Sequence, residues 1–179
     1  MTTKTKPALR RYKHIPGVKV TPDFSDENGL LFRYRLEIAL KASSPQGRTA
    51  CVVMQNPSYA GEDVADKSIQ FMEKVVFQKN FPGLHQIKRL IVVNQFARIQ
   101  TTGFEGSSHD IGSRNNSAIE SALEESDVII LAWGSGNRFE ERKAFVLREI
   151  GKMKGKQFFK TRMHPARGRY DGFIQPFSI

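Results

Sequence analysis

At 179 residues the chain is long enough for one domain with a full core and short for two. Hydrophobic residues make up 39% and charged residues 26%, an ordinary globular composition, and a single cysteine, Cys51, rules out an internal disulfide and any Cys-rich metal or iron–sulfur site. Lys plus Arg exceed Asp plus Glu by 28 to 18, a formal +10 that favours a polyanionic partner.

Residues 1–28 are polar, carry Pro7, Pro16 and Pro22, and read as a basic N-terminal arm ahead of a single α/β domain over 29–179. Met1 to Lys13 has basic residues but no apolar stretch behind it, so it does not read as a secretory signal. No apolar run approaches the roughly 20 residues that span a bilayer. The chain is therefore expected to be soluble, off the membrane and cytoplasmic. The next segment, Leu30 to Leu40, sets Leu31, Arg33, Arg35, Glu37 and Ala39 in alternation with Phe32, Tyr34, Leu36, Ile38 and Leu40. That period of two predicts an edge or hairpin strand.

Ser43-Ser44-Pro45-Gln46-Gly47 is a turn, and Thr49 to Met54 a first central strand. This strand stops at Asn56-Pro57. Proline cannot extend a ladder, and it biases the residue before it towards extended backbone. Cys51 falls inside this strand, where a small buried hydrophobe is its expected role. Asp66 to Phe77 spaces Ile69, Met72, Val75 and Val76 as a helix does, with Asp66 as N-cap. Arg89 to Asn94 is a second buried strand, Asn115 to Glu125 an amphipathic helix, Asp127 to Trp133 a third strand closed by Gly134-Ser135-Gly136. Phe139 to Met153 is a helix, and Phe158 to Met163 a last strand ending at His164-Pro165. Four continuous apolar strands separated by helices predict a mainly parallel four-stranded sheet covered on both faces, a three-layer α/β/α sandwich.

In a parallel sheet the ends Asn56-Pro57, Asn94-Gln95, Trp133-Gly134 and His164-Pro165 fall on one edge, where ligands of open α/β sheets bind. Each Asn offers one carbonyl acceptor and an NH₂ group with two donors, and His adds a donor or a charge. That set suits a planar, hydrogen-bonding ligand such as a nucleobase better than a metal or a simple phosphate. The chain has no Gly-x-Gly-x-x-Gly after the first strand, no P-loop lysine motif and no Gly-x-Ser-x-Gly elbow. His14, His85, His109 and His164 show no ligand spacing. Neither a metal nor a cofactor is expected.

Met54-Gln55-Asn56-Pro57-Ser58-Tyr59-Ala60, Asp66-Lys67-Ser68, Val93-Asn94-Gln95-Phe96-Ala97, Ala132-Trp133-Gly134 and His164-Pro165 resemble, in order, the motifs of the domain of unknown function 1643 family. Gln55, Tyr59, Ala65 and Lys67 depart from that family's pattern. More distantly, the same succession is similar to the uracil-DNA glycosylase superfamily. That resemblance implies a uracil-DNA-glycosylase-like fold and a glycosylase-like role on DNA. Asn56 would position the attacking water, Asn94 would read the base edge, and His164 would stabilise charge developing on the base. Phe71 is the candidate for stacking on the base, with Tyr59 a further base contact. In that superfamily an apolar wedge follows the His-Pro pair; here Ala166-Arg167-Gly168-Arg169-Tyr170 stands instead. An amide at position 56 can orient a water but is a poor general base. Lys160, Arg162, Arg167 and Arg169 are placed to grip phosphates. Two alternatives stay open: a module that binds nucleic acid or a modified base without cleaving it, and an enzyme acting on a free nucleoside or nucleotide.

Overall fold

The computed structural model describes residues 12–42 and 46–178. In chain order they form β1 (Val18–Glu27), β2 (Leu30–Leu40), β3 (Arg48–Met54), α1 (Lys67–Glu73, continued by a π turn over Lys74–Gln78), β4 (Ile87–Asn94), α2 (Asn115–Glu124), β5 (Val128–Leu131), α3 (Glu140–Gly151), β6 (Gln157–Thr161) and β7 (Ile174–Pro176). No helix among the described residues is long and apolar enough to cross a membrane.

All seven strands share one mixed sheet in the order β1-β2-β4-β3-β5-β6-β7. The pairs β4–β3, β3–β5 and β5–β6 are parallel, and these are the four apolar strands read from the sequence. The apolar runs reflect coverage on both faces. Along β3, Ala50, Val52 and Met54 join the cluster packed on α1, with Ile69 and Met72, while Cys51 and Val53 join Ile119, Leu123, Val146 and Ile150 of α2 and α3. Asp66 caps α1 as expected, its carboxylate accepting from the Ile69 amide at 2.8 Å.

The expected four-stranded sheet is corrected to seven strands. β7 adds antiparallel to β6, and the β1–β2 hairpin adds antiparallel to β4. Part of the expected N-terminal arm is thus a strand, since Val18–Glu27 pairs along its whole length with β2. Residues 1–11 of that arm lie outside the described residues. β1 reads as a loop because it is polar and carries Pro22, yet both features are tolerated on an edge strand. A signal for it was present. Asn28 (φ 56°) and Gly29 (φ 78°) form the two-residue turn that Asn-Gly favours in hairpins. The segment before β1 is tied down as well: the two nitrogens of His14 face the Glu73 carboxylate and the Gly61 carbonyl.

The regular alternation expected in β2 also fails at one point. Asp23 pairs with Arg35 and Phe24 with Arg33, so Tyr34 is an extra, bulged residue. A bulge re-aims the side chains beyond it. Arg35 lies at the α2 side, bonded to Glu125 at 2.7 Å, and Tyr34 lies there with Ala97 and Ala118. Arg33 turns instead to the α1 side, where its guanidinium meets the Ala60 carbonyl and Asn94 and where Asp66 acts on its charge.

Candidate functional site

Three strand ends converge on one cleft. Gln55 and Asn56 after β3, Trp133 through Asn137 after β5, and His164 after β6, with Arg167, line a volume of about 480 Å³. The backbone fixes this edge. The amides of Gln95 and Phe96 donate to the carbonyls of Met54 and Gln55 at 2.9 and 3.0 Å, locking the end of β4 to that of β3. The Asn115 side chain, at the start of α2, donates to the Asn94 and Gln95 carbonyls at 3.1 and 3.0 Å.

The Trp133-Gly134 and His164-Pro165 turns lie against each other, and this needs a glycine. Gly134 has φ +82°, and a Cβ there would sit 2.9 Å from the His164 nitrogen and 3.1 Å from its Cβ. Only a residue without a side chain admits both the conformation and the approach.

Side-chain carboxamides dominate the cleft. Asn137 donates to Gln95 Oε1 at 2.6 Å and to Gln55 Oε1 at 3.3 Å; Gln55 Nε2 donates to Asn56 Oδ1 at 3.3 Å; Asn56 Nδ2 donates to the Gln100 carbonyl at 2.8 Å. The chain of amides fixes the orientation of Asn56, since the oxygen and NH₂ group of both Asn56 and Gln55 are assigned by their partners. Gln95 is fully buried, and its Nε2 has no protein partner. Its backbone carbonyl accepts from Arg142 Nε at 2.7 Å. Arg142 is itself buried and forms no ion pair among the described residues; burial pushes its pKa down to about 10.

His164 is the one titratable group of the cleft besides Arg167. Its Nδ1 accepts the Ala166 amide at 3.2 Å, so that nitrogen carries no proton and Nε2 does. Burial holds its pKa below the ordinary value, with Asp66 opposing and Arg167 assisting. The side chain is therefore a neutral N–H donor at pH 7. No carboxylate lines the cleft.

Asn94 lies elsewhere than expected. It is 1% exposed and does not line the cleft; its Oδ1 accepts from Arg33 at 3.4 Å and its Nδ2 has no protein partner. Arg33 was missed by sequence reasoning, because a strict period of two put it on the same face as Arg35. It is 1% exposed, and burial pushes its pKa down to about 10 against the opposing charge of Asp66. It remains a cation at neutral pH. Asp66 in turn hydrogen-bonds Ser58 of the Asn-Pro-Ser turn. Gln55, Gln95 and Asn137 were missed too, although Gln55 and Gln95 stand beside Asn56 and Asn94 in the same two motifs.

Phe71 stacks on Tyr170 at 4.8 Å and 9°, meets Phe173 edge-on at 4.8 Å, and lies against Gly168, where a Cβ would be 2.5 Å from the ring. It packs the last loop onto α1 and does not line the cleft. Tyr59 is 59% exposed and also outside the lining. Arg167 is at the cleft, Lys160 and Arg162 line a neighbouring cavity, and Arg169 is exposed. None of these four cations forms an ion pair among the described residues, whereas Arg35 and Arg89 share Glu37 and Glu125.

Fold and site together define an α/β protein with a carboxamide-lined cleft at the carboxyl edge of its parallel strands. Residues 33–166 match the family described as Protein of unknown function (DUF1643). The chain belongs to that family. No curated protein and no solved structure matches it significantly.

Proposed function

We propose that the cleft takes up a nucleobase turned out of a nucleic-acid strand, DNA in the first instance, and that hydrolysis of the base's N-glycosidic bond is the reaction its groups support. The observation that carries this reading is the state of His164. A protonated Nε2 on a neutral imidazole, in a cleft without a carboxylate, suits an oxygen on which negative charge grows as a base departs. Asn56, held at both ends of its amide, supplies a fixed group to orient a water or the base edge. Gln55 and Asn137 add further amide donors and acceptors. Arg167 at the cleft, with Lys160 and Arg162 in the adjoining cavity and Arg169 exposed two residues on, gives the flanking phosphates their partners.

The order β4-β3-β5-β6 of the parallel strands, each ending in one of the four motif turns, supports the likeness to the uracil-DNA glycosylase superfamily. Fold likeness alone does not assign chemistry. A second reading has its own observation. Asn56 Oδ1 already accepts from Gln55, and no carboxylate stands ready to take a proton from water, which favours recognition of a base without cleavage.

One experiment separates the two. The protein is incubated with duplex and single-stranded oligonucleotides carrying uracil, mismatched or modified pyrimidines, and abasic sites are scored by alkaline cleavage. Strand scission lost in Asn56→Ala and His164→Ala is the expected result for hydrolysis. Salt-sensitive binding that depends on the same two residues, with no abasic product, identifies a recognition module. Binding to free nucleosides but to no strand would leave an enzyme of free nucleosides or nucleotides.

A further inference from the structure

A second cavity, of about 340 Å³, adjoins the cleft, and both are lined by Trp133, Gly134 and Ser135. We propose that it holds the nucleotide next to the one in the cleft along the same strand, with Trp133 between the two. This inference rests on the nucleobase reading of the cleft and adds a second, separately testable subsite.

The chemistry of the lining divides as a nucleotide does. Leu131, Leu147 and Phe177 give one apolar wall, and Trp133 is half-buried against the same core cluster, so aromatic surface is offered to a base face. Lys160, Arg162 and Gln175 give the polar part. Lys160 lies in β6 and Arg162 directly follows the strand, and both side chains line the same cavity. Both are exposed, neither forms an ion pair among the described residues, and the Lys160 ammonium sits 5.9 Å from the Phe177 ring centroid. No Asp or Glu lines either cavity. A bare phosphate would leave the aromatic wall unused, and an apolar ligand would leave two cations unused. A base with its phosphate uses both. Spacing agrees, because the shared Trp133–Ser135 turn is the only segment common to the two linings, so ligands in them are neighbours.

Trp133 is the one tryptophan of the chain, so its fluorescence reports on both cavities directly. The test titrates the full-length protein at fixed ionic strength with deoxyuridine, deoxycytidine, thymidine, deoxyadenosine and deoxyguanosine, then with the dinucleotide of each joined to thymidine. The best nucleoside is expected to bind about tenfold more weakly than its dinucleotide, within what one stacked and paired nucleotide contributes. In Lys160→Ala/Arg162→Ala that ratio falls to near one. Because both side chains are exposed, the variant is expected to fold, and Gln175→Ala provides a second, uncharged probe of the same cavity. A dinucleotide no tighter than its nucleoside, or a ratio unmoved by both variants, overturns the second subsite while the reading of the cleft stands. Failure of every nucleoside and dinucleotide to bind overturns both.

Discussion

Replacing Gly134 by alanine tests whether the close approach of two strand-end turns builds the cleft. An alanine must hold φ +82°, a left-handed conformation that costs an L-residue about 1–2 kcal/mol. Its Cβ would also stand 2.9 Å from the backbone nitrogen of His164, against the 3.4 Å at which ordinary contact begins. The obstacle is backbone, and that backbone is fixed, since the His164 carbonyl accepts from the Arg167 amide at 2.9 Å and Pro165 is buried. The turns must part by about 0.5 Å, an overpacking that costs about 1–3 kcal/mol. The sum is about 3 kcal/mol, or a fall of about 1.5 M in the urea midpoint for an unfolding slope near 2 kcal/mol per M. Gly136→Ala is the control, for a Cβ there meets nothing within 4 Å and should cost no more than about 0.5 kcal/mol. Equilibrium urea unfolding of both variants gives the answer. Equal midpoints for Gly134→Ala and Gly136→Ala would refute the reasoning, because the approach of the turns would then place no constraint on the site.

His14 and His164 should have pKa values displaced to opposite sides of the ordinary one. Burial opposes the charge on His14, but its bonds to Glu73 and Gly61 outweigh that and raise its pKa above 6.5, whereas burial lowers that of His164. The stability due to His14 is then complete below pH 6.5 and lost as pH rises through its raised value; that due to His164 is complete above pH 6.5 and lost as pH falls through its lowered value. Proton NMR of the imidazole Cε1–H signals, assigned with His14→Gln and His164→Gln, would show midpoints on opposite sides of 6.5, and midpoints on the same side would contradict the structure. Glu73→Ala leaves His14 facing an empty site where a fully buried carboxylate had also accepted the Ile15 amide at 3.0 Å; a loss of about 3 kcal/mol in urea unfolding at pH 6 is expected, and a loss under about 1 kcal/mol would show that the pair is not buried as described. Cys51 is fully buried, with its thiol pushed up to about 12, so the native protein should react with a disulfide reagent orders of magnitude more slowly than the urea-unfolded chain; comparable rates would place it at the surface.

Much of the sheet was legible from the chain because local rules were enough. The apolar runs of β3, β4, β5 and β6, the helical spacing behind Asp66, Asn115 and Phe139, and the Asn-Pro, Trp-Gly and His-Pro stops are written in neighbouring residues. They also placed Asn56 and His164 correctly on one edge, since parallel strands bring their ends together whatever lies between. Trp133 joined them for the same reason. β1 was hidden because a polar strand with a proline is stable only through pairing with β2, although the Asn28-Gly29 turn pointed to it.

The rest was decided by contacts that sequence neighbours do not encode. One bulged residue, Tyr34, sends Arg33 to the opposite face from Arg35 and buries a cation beside Asn94, while period-two reading set both arginines on the same side. Phe71 has helical spacing in every case, but only the return of the last loop, with Gly168 and Tyr170 against its ring, makes it a packing residue away from the cleft. The sequence by itself determined the four parallel strands and the residues that end them, because backbone geometry and hydrophobic period act over a few residues. Tertiary structure alone decided which of those polar ends face the cleft and which carboxylates Arg35 and Arg89 share, because burial and charge pairing depend on segments far apart in the chain.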